Sequence, residues 1–82
     1  MLLTDLPKGA SAIVDRVEQT PKTDMVANRL RDLGFVEGEP VRVVARGRTG
    51  AGPILVVIGS TRFALRRAES DRIVVRDAVN HG

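Results

Sequence analysis

The sequence predicts a mainly β domain, α+β by content: a small, partly open five-stranded β-barrel with one α-helix inserted after the first strand. Three observations carry that prediction. Five short segments rich in Val, Ile and Leu are separated by Gly, Pro and acidic breaks. Only one segment has helical spacing. The chain is 82 residues long, which fits one small domain with a modest core. Short, strongly twisted strands in so small a chain tend to close on themselves, because closure removes exposed edges.

The elements follow in order. "SAIVDRVE", Ser11–Glu18, is rich in β-branched residues and reads as a strand. "TPKTD" breaks it, since Pro21 cannot donate to a ladder. Thr23 is placed to cap a helix that starts at Asp24. Val26, Leu30 and Leu33 fall at i, i+4 and i+7 and so share one face. Gly34 suits the left-handed position after the helix, and Leu30 and Phe35 then stand where a Schellman stop wants its apolar contact. "VEGEP" is a turn.

Four strands follow the turn. "VRVVAR", Val41–Arg46, alternates, with Val41, Val43 and Ala45 on one face and Arg42, Val44 and Arg46 on the other. "ILVVI", Ile54–Ile58, has no polar alternation, so both of its faces are expected to be covered. "RFALR" points Phe63 and Leu65 inward and Arg62 and Arg66 outward. "RAESD" is a short turn or helical step, and "RIVVR", Arg72–Arg76, is the last strand. The tail, residues 77–82, is expected to fray. The predicted core contains Val26, Leu30, Leu33, Val43, Val56, Phe63 and Leu65.

Charge is unevenly distributed. Residues 1–41 carry five bases and seven acids, a net charge of −2. Residues 42–82 carry eight arginines and three acids, a net charge of +5. Every base in the second half is arginine, which favours planar, bidentate contacts with carboxylates and phosphates. There is no cysteine, so disulfides, zinc–thiolate sites and cysteine nucleophiles are excluded. The opening "MLLTDLPKGA" does not read as a signal peptide. The longest run of Val, Ile and Leu, Ile54–Ile58, falls far below the ~20 apolar residues of a membrane helix. A cytoplasmic location is expected.

The glycine-rich stretch "GRTGAGP", Gly47–Pro53, raises a phosphate-loop reading. A Walker loop needs Lys and then Ser or Thr after its last glycine, and Pro53 and a strand stand there instead. A dinucleotide loop needs a helix immediately after it. The stretch is therefore expected to be a hairpin loop. Catalysis is not indicated: Ser60 and Thr61 have no base but His81, in the tail. The chain reads as a non-enzyme that requires no cofactor. The metal-ligand set is poor, and at most His81 with Asp77 makes a weak surface site for zinc or ferrous iron. Arginine stripes could follow a nucleic-acid backbone, but stacking platforms are missing, since the chain has two Phe and neither Tyr nor Trp.

The ordered set of segments resembles the FeoA family. "LLTDLPKGASAIVDRV", "NRLRDLGFVEGEPVRVV" and "GPILVVIGSTRFALRRAESDRIVV" are similar, in sequence order, to that family's opening, central signature and closing half. The likeness runs from Leu2 to Arg76 and departs from the pattern at Glu37, Gly52 and Ser70, mostly in turns. The resemblance implies an SH3-like barrel and a cytosolic accessory of bacterial ferrous iron uptake. It also implies a partner, FeoB, a membrane ferrous iron transporter with a cytosolic GTP-binding region. On this reading Arg46, Arg48, Arg62 and Arg66, with Gly50 in the glycine loop, form part of the partner face. A similar fold occurs at the C-terminus of iron-dependent repressors, so a nucleic-acid-binding or regulatory domain is the alternative. Short edge strands leave a homodimer open.

Overall fold

The computed structural model describes residues 1–19, 24–47 and 52–78. The chain forms β1 (Ser11–Val17), α1 (Met25–Leu33), β2 (Pro40–Arg46), β3 (Ile54–Ile58), β4 (Thr61–Leu65), a four-residue helix α2 (Arg67–Ser70) and β5 (Ile73–Asp77). A 3-10 turn, Leu3–Asp5, precedes β1. All five strands are antiparallel neighbours in one sheet of order β4-β3-β2-β1-β5. The sheet curls around its core without closing, so β4 and β5 are its two edges.

The inner face of that curl is the core. Leu3, Leu6, Ala12, Val14, Leu30, Phe35, Val41, Val43, Ile54, Val56, Ile58, Leu65, Ile73 and Val75 make one buried cluster. Leu33 and Phe63 pack against it from half-buried positions, and Phe35 and Phe63 lie with ring centroids 6.0 Å apart. Of the expected core, Val26 is the exception. It is 39% exposed, and Ala27, fully buried, takes the inward position. Three apolar residues at i, i+4 and i+7 span a broad arc. In a helix of nine residues, the one at the first turn falls on the rim of that arc. In β3 the buried positions are Ile54, Val56 and Ile58, while Leu55 and Val57 are half-buried. One face is therefore fully covered, not two: among the described residues no helix packs on the outer face of the sheet.

The helix stop forms as its sequence dictates. Gly34 has φ +116°. The amide of Phe35 donates to the carbonyl of Leu30 at 3.0 Å, and the amide of Gly34 donates to that of Arg31 at 3.0 Å. These are the two bonds of a Schellman stop. At the other end the cap is Asp24, whose Oδ1 accepts from the amide of Ala27 at 3.0 Å; Thr23, the expected cap, lies outside the described residues. Either residue type can cap a helix, and position in the fold decides between them. Asp24 also forms an ion pair with Arg72, whose Nε donates to the carbonyl of Glu18 at 3.0 Å. One guanidinium thus ties the end of β1, the start of α1 and the approach to β5.

Two strands carry bulges that the alternation pattern does not reveal. The pairing of β1 with β5 shifts between Val14 and Arg16. That of β2 with β3 shifts between Val43 and Ala45, which makes Val44 the extra residue. A bulge bends and twists its strand, which helps a small sheet curl. It also reverses the inside–outside sense of every residue beyond it. Asp77, expected in the fraying tail, is the last residue of β5 and pairs with Ala12. Residues 79–82 lie outside the described residues.

Candidate functional site

The outer face of the sheet has two electrostatic halves. On the β1–β5 side, charges pair: the carboxylate of Asp15 accepts from Arg16 at 2.8 Å and from Arg76 at 3.1 Å, and Arg16 also reaches Glu18 at 3.1 Å. Those neighbouring carboxylates, Glu18 first, raise the Arg16 pKa above its usual value. The β2–β3–β4 side is different. Arg42 stands opposite Val57, and Val57 opposite Arg62, so two arginines share one row across three strands. Both are exposed. With Lys8 they line a hollow of about 440 Å³ whose other walls include Val44 and Leu55. No acid lines it. Among the described residues, no ion pair neutralises Lys8, Arg42 or Arg62.

Local chemistry explains each position. Arg42 precedes the bulge and keeps the outward sense of its alternation. Arg62 lies just after the turn at Gly59 and Ser60, where Ile58 and Thr61 are the first cross-strand pair. Lys8 arrives from a distance in sequence. The amide of Gly9 donates to the carbonyl of Val43 at 2.7 Å, and the amide of Val43 donates to that of Ala10 at 3.0 Å. This short pairing lays Lys8 beside β2.

The expected partner-face residues divide accordingly. Arg62 belongs to the basic row. Arg66 is exposed and stands just beyond β4, as the residue that opens α2. Arg46 does not join them. Beyond the bulge at Val44 it pairs with Ile54, an inward position, and its side chain is half-buried. Its Nη1 donates to the carbonyl of Leu6 at 2.6 Å. The arginine placed outward by strict alternation is a tether inside the fold. Arg48 and Gly50 lie outside the described residues, as does His81. The strand-to-strand connection itself is as expected, because β2 and β3 pair antiparallel and the amide of Gly47 donates to the carbonyl of Pro53 at 3.2 Å. A Cβ on Gly47 would come within 3.2 Å of the Gly52 Cα, so close backbone approach accounts for glycine at the loop's base.

No local signal in the sequence marks Lys8, because its neighbours are fixed by pairing across more than thirty positions of chain. Arg42 is readable as the outward residue of an alternating strand. Among the described residues, no three His, Cys, Asp or Glu side chains come together in a metal-binding arrangement. Asp77 is exposed at the end of β5. No helix among the described residues is long and apolar enough to cross a membrane.

A five-stranded curled sheet with one inserted helix places this chain among the small SH3-like β domains. The model of the family described as "FeoA domain" matches residues 1–77, and the chain belongs to the FeoA family. Among solved structures, it is similar to FeoA of Stenotrophomonas maltophilia, a prokaryotic SH3-domain protein determined in complex with zinc. The identity is 52% and the TM-score 0.84, over 92% of this chain and 88% of that one. FeoA of Chlorobium tepidum is similar at 32% identity and a TM-score of 0.83, over 100% of this chain and 74% of that one. A manganese-dependent transcriptional repressor shares the fold at 25% identity and a TM-score of 0.78, with 94% of this chain matching 41% of that one. A comparison with curated proteins found no match.

Proposed function

We propose that this protein is a cytoplasmic accessory of bacterial ferrous iron uptake, which binds the cytosolic region of the FeoB transporter and acts on its nucleotide cycle or assembly. Family membership over residues 1–77 supports the iron-transport setting. The observation that carries the binding mode is the acid-free row of Lys8, Arg42 and Arg62 over half-buried Val44 and Leu55. Unpaired surface bases around apolar side chains suit a partner that brings carboxylates and a few aliphatic groups. Nothing in this reading requires a catalytic group on the chain itself.

The basic row fits protein better than nucleic acid. Phe35 is buried and Phe63 is half-buried against the core, so the chain lacks the run of exposed rings on which successive bases stack. The test is binding of the full chain to the purified cytosolic region of FeoB, with and without guanine nucleotide. Arg42→Glu with Arg62→Glu should abolish binding, whereas Arg46→Ala, once corrected for the folded fraction, should not. Unchanged binding by the double charge reversal would falsify the surface assignment. No binding by the unmodified chain in either nucleotide state removes the partner. Salt-dependent DNA or RNA binding at physiological ionic strength would favour the regulatory alternative instead.

A further inference from the structure

The two edges of the sheet are treated differently. The outer edge of β5 is covered by the chain's own start: the amide of Val75 donates to the carbonyl of Met1 at 2.7 Å, and Leu2 bridges to Val74. No described main chain pairs with the outer edge of β4. Ile58 and Thr61 close a two-residue turn and form the first hydrogen-bonded pair, and alternation makes Val56–Phe63 and Ile54–Leu65 the next. The N–H and C=O of Arg62 and Ala64 therefore point away from β3, out along the open edge.

That edge is not bare surface. Between it and α1 runs a groove of about 250 Å³, with Arg29 and Leu33 on the helix side and Phe63, Ala64 and Arg66 on the strand side. Half-buried Leu33 and Phe63 make an apolar floor. The one acid at the groove, Glu69, is already engaged, with Oε1 accepting from the amide of Arg66 at 2.7 Å. Among the described residues, Arg29, Arg62 and Arg66 have no ionic partner. Pairing of β4 with β4 of a second copy would bring Arg62 and Arg66 of both chains to one seam. Like charges there oppose self-association, a common protection of open edges, and they also select for a partner of opposite sign.

We propose that the groove between α1 and β4 binds an extended acidic segment of a partner protein, which adds to the sheet as a sixth strand. Its main chain pairs with the outward N–H and C=O of Arg62 and Ala64. Its carboxylates meet Arg62 and Arg66, and an alternate aliphatic side chain rests on Leu33 and Phe63. Strand addition gives affinity through main-chain bonds and specificity through alternate side chains. The inference deepens the partner reading above and rests on it for the identity of the partner, but not for the chemistry of the groove.

The test uses the full-length, ¹⁵N-labelled chain and a peptide of about six residues alternating glutamate and valine, a typical strand length. The acidic peptide should slow amide exchange at Arg62 and Ala64 by about tenfold or more, as new edge hydrogen bonds form. A peptide alternating lysine and valine should leave both amides unchanged. So should the acidic peptide N-methylated at alternate residues, which removes its donors without touching the protein. Arg62→Glu should weaken the acidic peptide by about 5- to 10-fold at low salt and bring in the lysine peptide. Equal binding of the two peptides, or exchange at Arg62 and Ala64 that ignores the acidic one, overturns the proposal. So does protection of those amides that grows with protein concentration alone, since the occupant is then a second copy. With the FeoB cytosolic region as ligand, binding that leaves Arg62 and Ala64 unprotected removes the groove and keeps the partner. Absence of that binding, with the peptide result intact, removes the partner and keeps the groove.

Discussion

The guanidinium of Arg46 donates from Nη1 to the carbonyl oxygen of Leu6, 2.6 Å away. This bond fastens the segment before β1 to the end of β2, across forty positions of sequence. A charge-assisted bond to a part-buried carbonyl is worth about 1.5–3 kcal/mol. Arg46→Ala is therefore expected to lower the stability of the fold by about that amount in urea denaturation, while FeoB binding per folded molecule stays unchanged. Loss of binding at full stability would return Arg46 to the partner face.

Gly34 offers a test of backbone strain in isolation. It has φ +116°, and a Cβ built there would meet nothing within 4 Å. Gly34→Ala should then cost about 1–2 kcal/mol through backbone conformation alone. The denaturant slope should not move, because no contact is lost and no surface is newly buried. A neutral outcome would mean that the helix ends without the left-handed residue.

At Gly47 the cost has a different origin, since an added Cβ would crowd the Gly52 Cα at 3.2 Å. The neighbour is backbone and cannot swing aside. Gly47→Val should spread the base of the loop and weaken exchange protection in the last pairs of β2 and β3, with less effect at β1. Amide exchange on the two strands measures this directly.

The Asp24–Arg72 pair can be separated into its parts. The Asp24 side chain is 7% exposed and that of Arg72 24%. Asp24→Asn keeps an oxygen for the Ala27 amide and removes the charge; Asp24→Ala removes both. The alanine variant should be less stable than the asparagine one by about 1 kcal/mol, the value of a helix cap. A double-mutant cycle with Arg72→Ala should give a coupling of about 1 kcal/mol or more, well above that of exposed pairs such as Arg67 with Asp71. Additive effects would show that the pair contributes nothing beyond the cap.

Among the described residues, Phe35 is the largest fully buried side chain. Its truncation to alanine should cost about 3–5 kcal/mol, comparable with the whole stability of a domain this small. Loss of chemical-shift dispersion in an NMR spectrum of Phe35→Ala is the expected result. A dispersed spectrum at unchanged stability would mean that the surrounding residues collapse into the space.

Features set by nearest neighbours along the chain were legible in the sequence. The stop "RLRDLGF" needs only a glycine that tolerates positive φ and two apolar residues at fixed offsets, so its bonds could be read from seven letters. The number and order of strands followed from breaks in apolar runs, and the glycine stretch read correctly as a connection between strands. What the sequence could not carry was register. A period of two says which residues share a face but not where a bulge shifts the count. One extra residue at Val44 turned Arg46 from the outer face to the inner one. Only pairing across the sheet set Lys8 beside Arg42 and Arg62, capped α1 at Asp24 through its hold on Arg72, and left β4 open while Met1 and Leu2 covered β5. Local conformational preference is written residue by residue, whereas long-range pairing is a choice among competing registers that only the packed core resolves.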